Sequence, residues 1–281
     1  MEGRKPYPLK GTLYIVATPI GNLEDITLRA LRVLKEVDVI AVEDTRHSLK
    51  LLSHYEIKGK PLISYWAERE KVKSEEVMKR LNLGQSVALI SDSGTPAISD
   101  PGGVLVRKAL DSGILVVPVP GPSALIAALS VSGMPVGGFT FIGFLPSKRT
   151  QRVKALKDLS LEKRTLVFYE APHRLLETLA DIEEIFGSRM AVVIKEITKL
   201  HEEAMHGSIP ELRASIQEKT IAGEYVIIVE GRKIKEVSFG EALSEVMALI
   251  KKGMGRKEAV KTVAREYGIS KNELYEKSLL R

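Results

Sequence analysis

The 281 residues carry 42 Lys and Arg, 36 Asp and Glu and no cysteine, for a formal net charge of +6, and 44% of them are hydrophobic. That length suits two domains of ordinary size with an appendage, and the profile is that of a globular chain rather than a disordered one. The cysteine count excludes a disulfide framework, a thiolate nucleophile and a zinc ribbon.

In chain order, "MEGRKPYPLK" comes first. It lacks the apolar core and small-residue cleavage site of a signal peptide, and no later stretch approaches the ~20 uninterrupted apolar residues of a membrane span. A cytoplasmic protein with no membrane partner is the expectation. From position 12, short β-branched runs alternate with amphipathic segments. The predicted strands are Leu13–Ala17, Val37–Val42, Pro61–Tyr65, Val87–Ile90 and Ile114–Val119. Helical patterns fall between them at 26–35, 46–54, 69–82 and 102–112. The strand runs are continuously apolar, as parallel strands covered on both faces require, so residues 1–119 read as a doubly wound α/β domain.

"PVPGPSA" (118–124) breaks this rhythm and marks the hinge into a second α/β domain, 120–232. Helices are expected there at 123–132, 150–160, 173–186 and 208–218, with strands at 139–144, 165–169, 190–197 and 224–230. The spacing permits a mixed sheet with hairpin-like pairs. Residues 233–281 contain no strand pattern and read as helices at 240–252, 256–267 and 271–280. Ala264, Gly268 and a basic helix capped by Ser270 and Glu273 have helix-turn-helix spacing. A small bundle that only packs is the plainer reading of that tail.

Charge is unevenly spread. Residues 232–281 hold 12 Lys/Arg against 7 Asp/Glu, and 148–164 hold 7 against 2. Either run alone reads equally well as a solvated helix face, but two in an otherwise balanced chain point to a polyanionic partner. Asn and Gln total six, an amide-poor and ion-rich balance that follows the trend of thermophile proteins.

Several chemistries are absent from the motifs. There is no GxxxxGK[ST], no HExxH, no GxSxG elbow and no GxGxxG after the first strand. What recurs is a turn-forming loop, most often shaped by Pro and Gly, after four of the five strands: "TPIGNLEDIT" (18–27), "EDTRHS" (43–48), "SDSGTPAISDPGG" (91–103) and "PGPSA" (120–124). Ligands of open parallel sheets bind off the carboxyl ends of the strands, where such loops bring backbone close to a small molecule. One loop of this kind is a tight turn with Asp25 or Asp100 as a cap; four on one edge make a cleft.

"LYIVATPIGNLEDIT" (13–27), "EDTRHS", "GTPAISDPG" (94–102) and "FYEAPHRL" (168–175), in that order, resemble the ribosomal RNA 2′-O-methyltransferase branch of the tetrapyrrole methylase superfamily. The resemblance covers nearly the whole chain from Leu13. It implies two α/β domains of the tetrapyrrole methylase type, the first a parallel doubly wound sheet and the second mixed, followed by a small helical module. It further implies S-adenosylmethionine as cofactor in the cleft between the two, no metal, and a homodimer. The implied reaction is 2′-O-methylation of a cytidine ribose in the decoding region of 16S ribosomal RNA, with the small ribosomal subunit as partner. Relatives that act on tetrapyrroles carry a Gly-rich first loop and a shorter fourth loop, where this chain has "PIGN" and "GTPAISDPG".

Carried over position by position, the resemblance places Pro19, Ile20 and Gly21 of the first loop against the cofactor. Gly94, Thr95, Pro96 and Ile98 of the fourth loop join them, with Ser123 and Ala124 of the hinge, and Tyr169 and Thr198 from the second domain. A ribose 2′-hydroxyl must lose its proton. Groups able to accept it, or to steady the alkoxide, lie at Glu43, Asp44 and Arg46, at Glu170 and His173, with Arg174 beside them, and at Glu196 and Lys199, with Lys195 nearby. The resemblance does not choose among them, and each singly reads also as a surface ion pair or helix cap. Two other functions share these features: a precorrin-type tetrapyrrole methyltransferase, and a ligand-sensing regulator that binds nucleic acid.

Overall fold

The computed structural model describes residues 11–233 and 237–279, with the backbone only of Arg265 and Glu266. The chain packs as two compact units, the first reaching Glu230 and the second starting at Gly231.

The first unit contains two five-stranded sheets. Strands β1 (Thr12–Val16), β2 (Val39–Val42), β3 (Leu62–Ser64), β4 (Val87–Ile90) and β5 (Leu115–Val119) lie in the order β3-β2-β4-β1-β5. Every pairing in this sheet is parallel. Helices α1 (Leu28–Glu36) and α2 (Thr45–His54) cover one face through Val33, Leu34 and Leu52. Helices α3 (Glu70–Asn82) and α4 (Gly103–Asp111) cover the other through Val77, Leu81 and Leu105. Both faces are therefore buried, which explains the unbroken apolar strands. Deleting a fully buried side chain such as Leu34 would cost about 2–5 kcal/mol, mostly through the cavity left behind.

The chain leaves β1 toward β2 and leaves β4 toward β5, in opposite directions across the sheet. A crevice opens at such a switch point, between the carboxyl ends of the two adjacent strands. Helix α1 starts where the Thr27 hydroxyl accepts the Ala30 N–H at 3.1 Å, and α2 where the Asp44 carboxylate accepts those of Arg46 and His47.

After α5 (Ala124–Val131) comes the second sheet: β6 (Phe139–Phe144), β7 (Thr165–Glu170), β8 (Met190–Lys195), β9 (Glu203–Ser208) and β10 (Tyr225–Val229). Its order is β6-β7-β10-β8-β9, with β6 and β7 parallel and the other pairs antiparallel. The sheet is mixed, as its spacing permits. Helix α5 packs on one face through Leu125 and Leu129 against Val167, Ile194 and Ile228. Helices α6 (Arg149–Leu159), α7 (Leu175–Phe186) and α8 (Ile209–Gln217) fill the other around Phe168 and Ile227. The predicted helix at 173–186 begins only at Leu175, because Pro172–Arg174 forms a separate 3₁₀ turn. Strand β9, "EAMHGS", has no counterpart among the predicted strands. It pairs through its backbone at the sheet edge and carries no apolar run.

Among its described residues the regular elements of the second unit are helices: α9 (Phe239–Lys251), α10 (Arg256–Tyr267) and α11 (Lys271–Leu279). Ala242, Val246, Val260, Val263 and Leu274 form its core. Gly268 ends α10 in the left-handed region at φ 65°, a turn that glycine makes without Cβ strain. The Ser270 hydroxyl accepts the Glu273 N–H at 3.4 Å, which is the Ser270 half of the predicted cap. Leu280, the last position of the predicted final helix, lies outside the described residues. No helix among the described residues is long and apolar enough to cross a membrane.

Candidate active site

The loops after β1 and β4 are tied together at the switch point. Thr18 N–H donates to the Gly94 carbonyl at 2.9 Å and Gly94 N–H returns a bond to Thr18 at 3.0 Å. The buried Thr18 hydroxyl also donates to the Ser91 carbonyl, at 3.2 Å. Gly94 sits at φ 78°, and a Cβ there would stand 3.4 Å from the Ile20 side chain. At the loop's far end the Glu70 carboxylate accepts the N–H groups of Gly102 (2.7 Å) and Val104 (3.1 Å), closing the start of α4. Between these anchors Ala97 is held at φ 67°, unusual for a residue with a side chain and common where a loop is shaped for function. The Thr95 hydroxyl donates to the Pro122 carbonyl at 3.3 Å, joining the fourth loop to the hinge.

These loops line one side of a cleft of about 430 Å³, and the second sheet supplies the other. The volume lies within the ~300–1,000 Å³ usual for small-molecule sites. Ile20, Gly94, Thr95 and Ile98 face it from the first sheet, and Ser123 and Ala124 from the hinge. Tyr169, Glu170, Ile197 and Glu224 face it from the second. Ser123 is the N-cap of α5 and makes no side-chain cap bond, so the amino end of that helix opens on the cleft. Such an end favours a negatively charged group. Pro19, Gly21, Pro96 and Thr198 belong to the same loops without lining the cavity. Thr198 sits at φ 68°, and its hydroxyl oxygen is buried without a partner among the described residues.

The family model for Tetrapyrrole (Corrin/Porphyrin) Methylases matches residues 12–213. A relative from Halalkalibacterium halodurans, "Ribosomal RNA small subunit methyltransferase I", is 47% identical over 95% of this chain and 94% of its own. The chain belongs to the tetrapyrrole methylases, in the ribosomal RNA small subunit methyltransferase I group. The relative of that name from Escherichia coli O157:H7 is 46% identical over 96% of this chain and 95% of its own. Among solved structures, uroporphyrin-III C-methyl transferase from Thermus thermophilus complexed with S-adenyl homocysteine shares the fold. Its TM-score is 0.55 at 20% identity, over 77% of this chain and 96% of that one.

In this tetrapyrrole methylase the residues proposed for proton removal fall into three settings. Asp44 is committed to capping α2, and the Arg46 and His47 N–H groups hold its carboxyl below the ordinary aspartate range. The Arg46 side chain is 91% exposed and 3.6 Å from Asp44. Glu43 is half-buried behind the fourth loop, where it accepts the Asp92 N–H at 3.3 Å. Burial raises its proton affinity, the Asp92 N–H opposes this, and the carboxylates of Asp100, Asp92 and Asp44 raise it further.

Glu170 lines the cleft with both oxygens engaged. Oε1 accepts the Ala171 N–H at 2.9 Å and faces Arg174 Nε at 3.4 Å, and Oε2 accepts the Thr178 hydroxyl at 2.6 Å. Arg174 reaches on to the Leu145 carbonyl at 2.7 Å, so this carboxylate anchors the chain after β6. His173 is exposed and does not line the cavity. Lys199 Nζ is bound to Glu196 at 2.8 Å and Glu224 at 3.0 Å. Burial disfavours its charge, but those two bonds prevail and hold it above the usual lysine range.

Asp100 is the cleft carboxylate that motif reading passes over as a helix cap. It lines the cavity, and burial raises its proton affinity, with the Ser91 hydroxyl opposing and Asp92 adding to the rise. Its neighbour Tyr169 makes edge-to-face contacts with Phe141 and Phe144, at 5.0 and 5.7 Å between centroids.

The basic stretch 148–164 is not a free cationic face. Arg152 is buried against Asp181 at 2.7 Å, Arg149 reaches Asp181 and Glu184, and Arg164 is paired with Glu162 at 2.7 Å. Three of its seven cations therefore hold the second sheet's helices and turns.

Proposed function

We propose that this protein transfers the methyl group of S-adenosylmethionine to the 2′-hydroxyl of a cytidine ribose in the decoding region of 16S ribosomal RNA, working in the cytoplasm on the small subunit. The observation that carries the proposal is the cleft itself, built at the switch point by the Thr18–Gly94 pairing and opened on by the amino end of α5. The names of relatives at 46–47% identity support ribosomal RNA as the substrate.

When bound, the cofactor supplies an electrophilic methyl on a sulfonium. The chain's residues hold the reactants and exclude water. Ile20, Ile98 and Ala124 give apolar wall, the α5 terminus suits a carboxylate, and Asp100 can accept bonds from hydroxyl or ammonium donors. Alignment of the attacking oxygen with the methyl group provides most of the acceleration. Of the proposed bases, Glu43 does not itself line the cavity, but its carboxylate is tied to the fourth loop by one long bond from Asp92 N–H among the described residues and has a raised proton affinity, so we assign it the proton of the 2′-hydroxyl.

The second unit is assigned to RNA. Lys252, Lys257, Lys261, Lys271 and Lys277 are exposed on it, whereas the Arg256 guanidinium is tied to the Ser278 carbonyl. A homodimer completes the proposal, with Ile126 and Val131 of α5 more than half exposed as an apolar face for it. Calorimetric titration with S-adenosylmethionine in the presence of a chelator, followed by methyl transfer onto unmodified small subunits, tests cofactor and substrate in turn.

A further inference from the structure

After β8 the chain follows an irregular path from Glu196 to Lys199. Glu196 (φ 50°) and Thr198 (φ 68°) both adopt the left-handed region that side chains disfavour. The path is fixed by its bonds. Glu196 N–H donates to the Glu224 carbonyl at 2.8 Å, and the Glu196 carboxylate accepts the Glu224 N–H at 2.9 Å. Lys199 N–H donates to the Glu196 carbonyl at 2.9 Å, and Thr198 N–H to the Glu202 carboxylate at 2.5 Å. Gly223 lies so close beneath Glu196 that a Cβ would stand 2.4 Å from its side chain.

What this arrangement aims is the Lys199 side chain. Its ammonium is held by Glu196 and Glu224, and its alkyl chain crosses the backbone of Gly21 in the loop after β1. A Cβ on Gly21 would stand 2.3 Å from Lys199 Cγ and 2.9 Å from Cε. Ile20, next to Gly21 and 7% exposed, lines the cleft, as do Ile197 and Glu224. One side chain thus spans from a loop of the first sheet to the second sheet beside the cavity. With two carboxylates on it, the ammonium is not free to hold a phosphate or an alkoxide.

We infer that Lys199 is a positioning residue whose alkyl chain clips the Gly21 loop against the second sheet and so holds Ile20 in the wall of the cofactor cleft. The inference rests on the cleft being the cofactor site. It gives Gly21 a reason beyond its backbone angle of φ 145°, since only a residue without Cβ leaves room for the lysine stem. It also separates Lys199 from the chemistry: the clip sets how tightly the cofactor is held, not how fast the methyl moves.

The test compares Lys199→Ala, Lys199→Met, Gly21→Ala and the Gly21→Ala/Lys199→Ala double variant. Affinity for S-adenosylhomocysteine is read by calorimetry, and KM for S-adenosylmethionine and kcat on small subunits are read by steady-state kinetics. Lys199→Ala is expected to raise both Kd and KM about tenfold. Its kcat at saturating cofactor should stay within about twofold of the parent. Lys199→Met, which keeps most of the stem, should bind with an affinity between those of the parent and Lys199→Ala. Gly21→Ala should weaken binding by displacing the stem, and the double variant should be no weaker than the worse single one, because both changes act on one contact. Losses that add in the double variant would overturn the clip. So would unchanged Kd in both Lys199 variants, or a fall in kcat at constant Kd. If the parent protein itself failed to bind S-adenosylhomocysteine, the cofactor reading of the cleft would fall, and the clip with it.

Discussion

Arg152 Nε donates to Asp181 Oδ2 at 2.7 Å, and the two side chains are 1% and 4% exposed. The bond joins α6 to α7 under the second sheet, and Arg149 adds a second bond to the same carboxylate at 2.9 Å. Removing Asp181 leaves the buried Arg152 charge with only the Glu177 carboxylate at 3.5 Å and the Ser147 carbonyl at 3.2 Å. Asp181→Ala should therefore lower unfolding free energy by about 3–5 kcal/mol in urea titrations. Replacing both residues by apolar ones, Arg152→Met with Asp181→Leu, should recover most of that loss. Equal stability of the single and double variants would show that the pair is not what holds the helices.

The same pair shows where the sequence is legible and where it is not. The parallel sheet is plain because each strand is buried on both faces and reads as an apolar run, from Leu13 to Val119. The loops of the cleft are plain because Gly94 and Gly102 need backbone angles that leave a mark in composition. The pairing of Arg149 and Arg152 is not, since their partner Asp181 lies about thirty positions on and charge counts do not record which cations are neutralised. Strand β9 escapes because an edge strand is held by its backbone. Asp100 escapes because an aspartate at the foot of a helix looks like a cap, while the α4 terminus is in fact closed by Glu70 from α3.

Asp100 should show opposite effects on stability and binding. Burial raises its folded pKa above the unfolded value, so its favourable contribution is complete below the unfolded pKa, near the ordinary aspartate value of 3.8, and is lost as pH rises through the folded one. The parent's unfolding free energy, taken relative to that of Asp100→Asn, should fall across that window. At neutral pH the variant should be at least as stable as the parent yet bind S-adenosylmethionine more weakly. Denaturation at pH 4 and pH 7 with calorimetry at pH 7 reads both, and unchanged cofactor affinity would remove Asp100 from the site.

Glu43→Gln keeps the shape and the Asp92 hydrogen bond while removing the basic carboxylate. Methyl transfer should drop by ~10²–10⁴, the usual cost of losing a general base, with cofactor affinity preserved. The parent's kcat should rise with pH as Glu43 ionises, with a midpoint above the ordinary glutamate range because burial raises its pKa. Asp44→Ala should instead lower the melting temperature slightly through loss of the α2 cap and leave the chemistry intact. Full activity in Glu43→Gln would return the search to the cleft wall.

Deleting residues 232–281, which hold 12 Lys/Arg, should weaken binding to small subunits and flatten its salt dependence. Every phosphate that the tail neutralises adds about 0.7–0.9 to the steepness of log K against log salt, and the truncated protein should lack that share. S-adenosylmethionine affinity should survive, since the described residues lining the cleft all precede Glu230. A truncated protein with unchanged RNA affinity and salt slope would show that the helical unit only packs.

The most direct measurement is nucleoside analysis of 16S ribosomal RNA after incubating unmodified small subunits with the protein and S-adenosylmethionine labelled in its methyl group. The expected result is label confined to one 2′-O-methylcytidine in the decoding region, absent when Glu43→Gln replaces the parent. Label on a base, on a tetrapyrrole offered in competition, or nowhere in the RNA would contradict it.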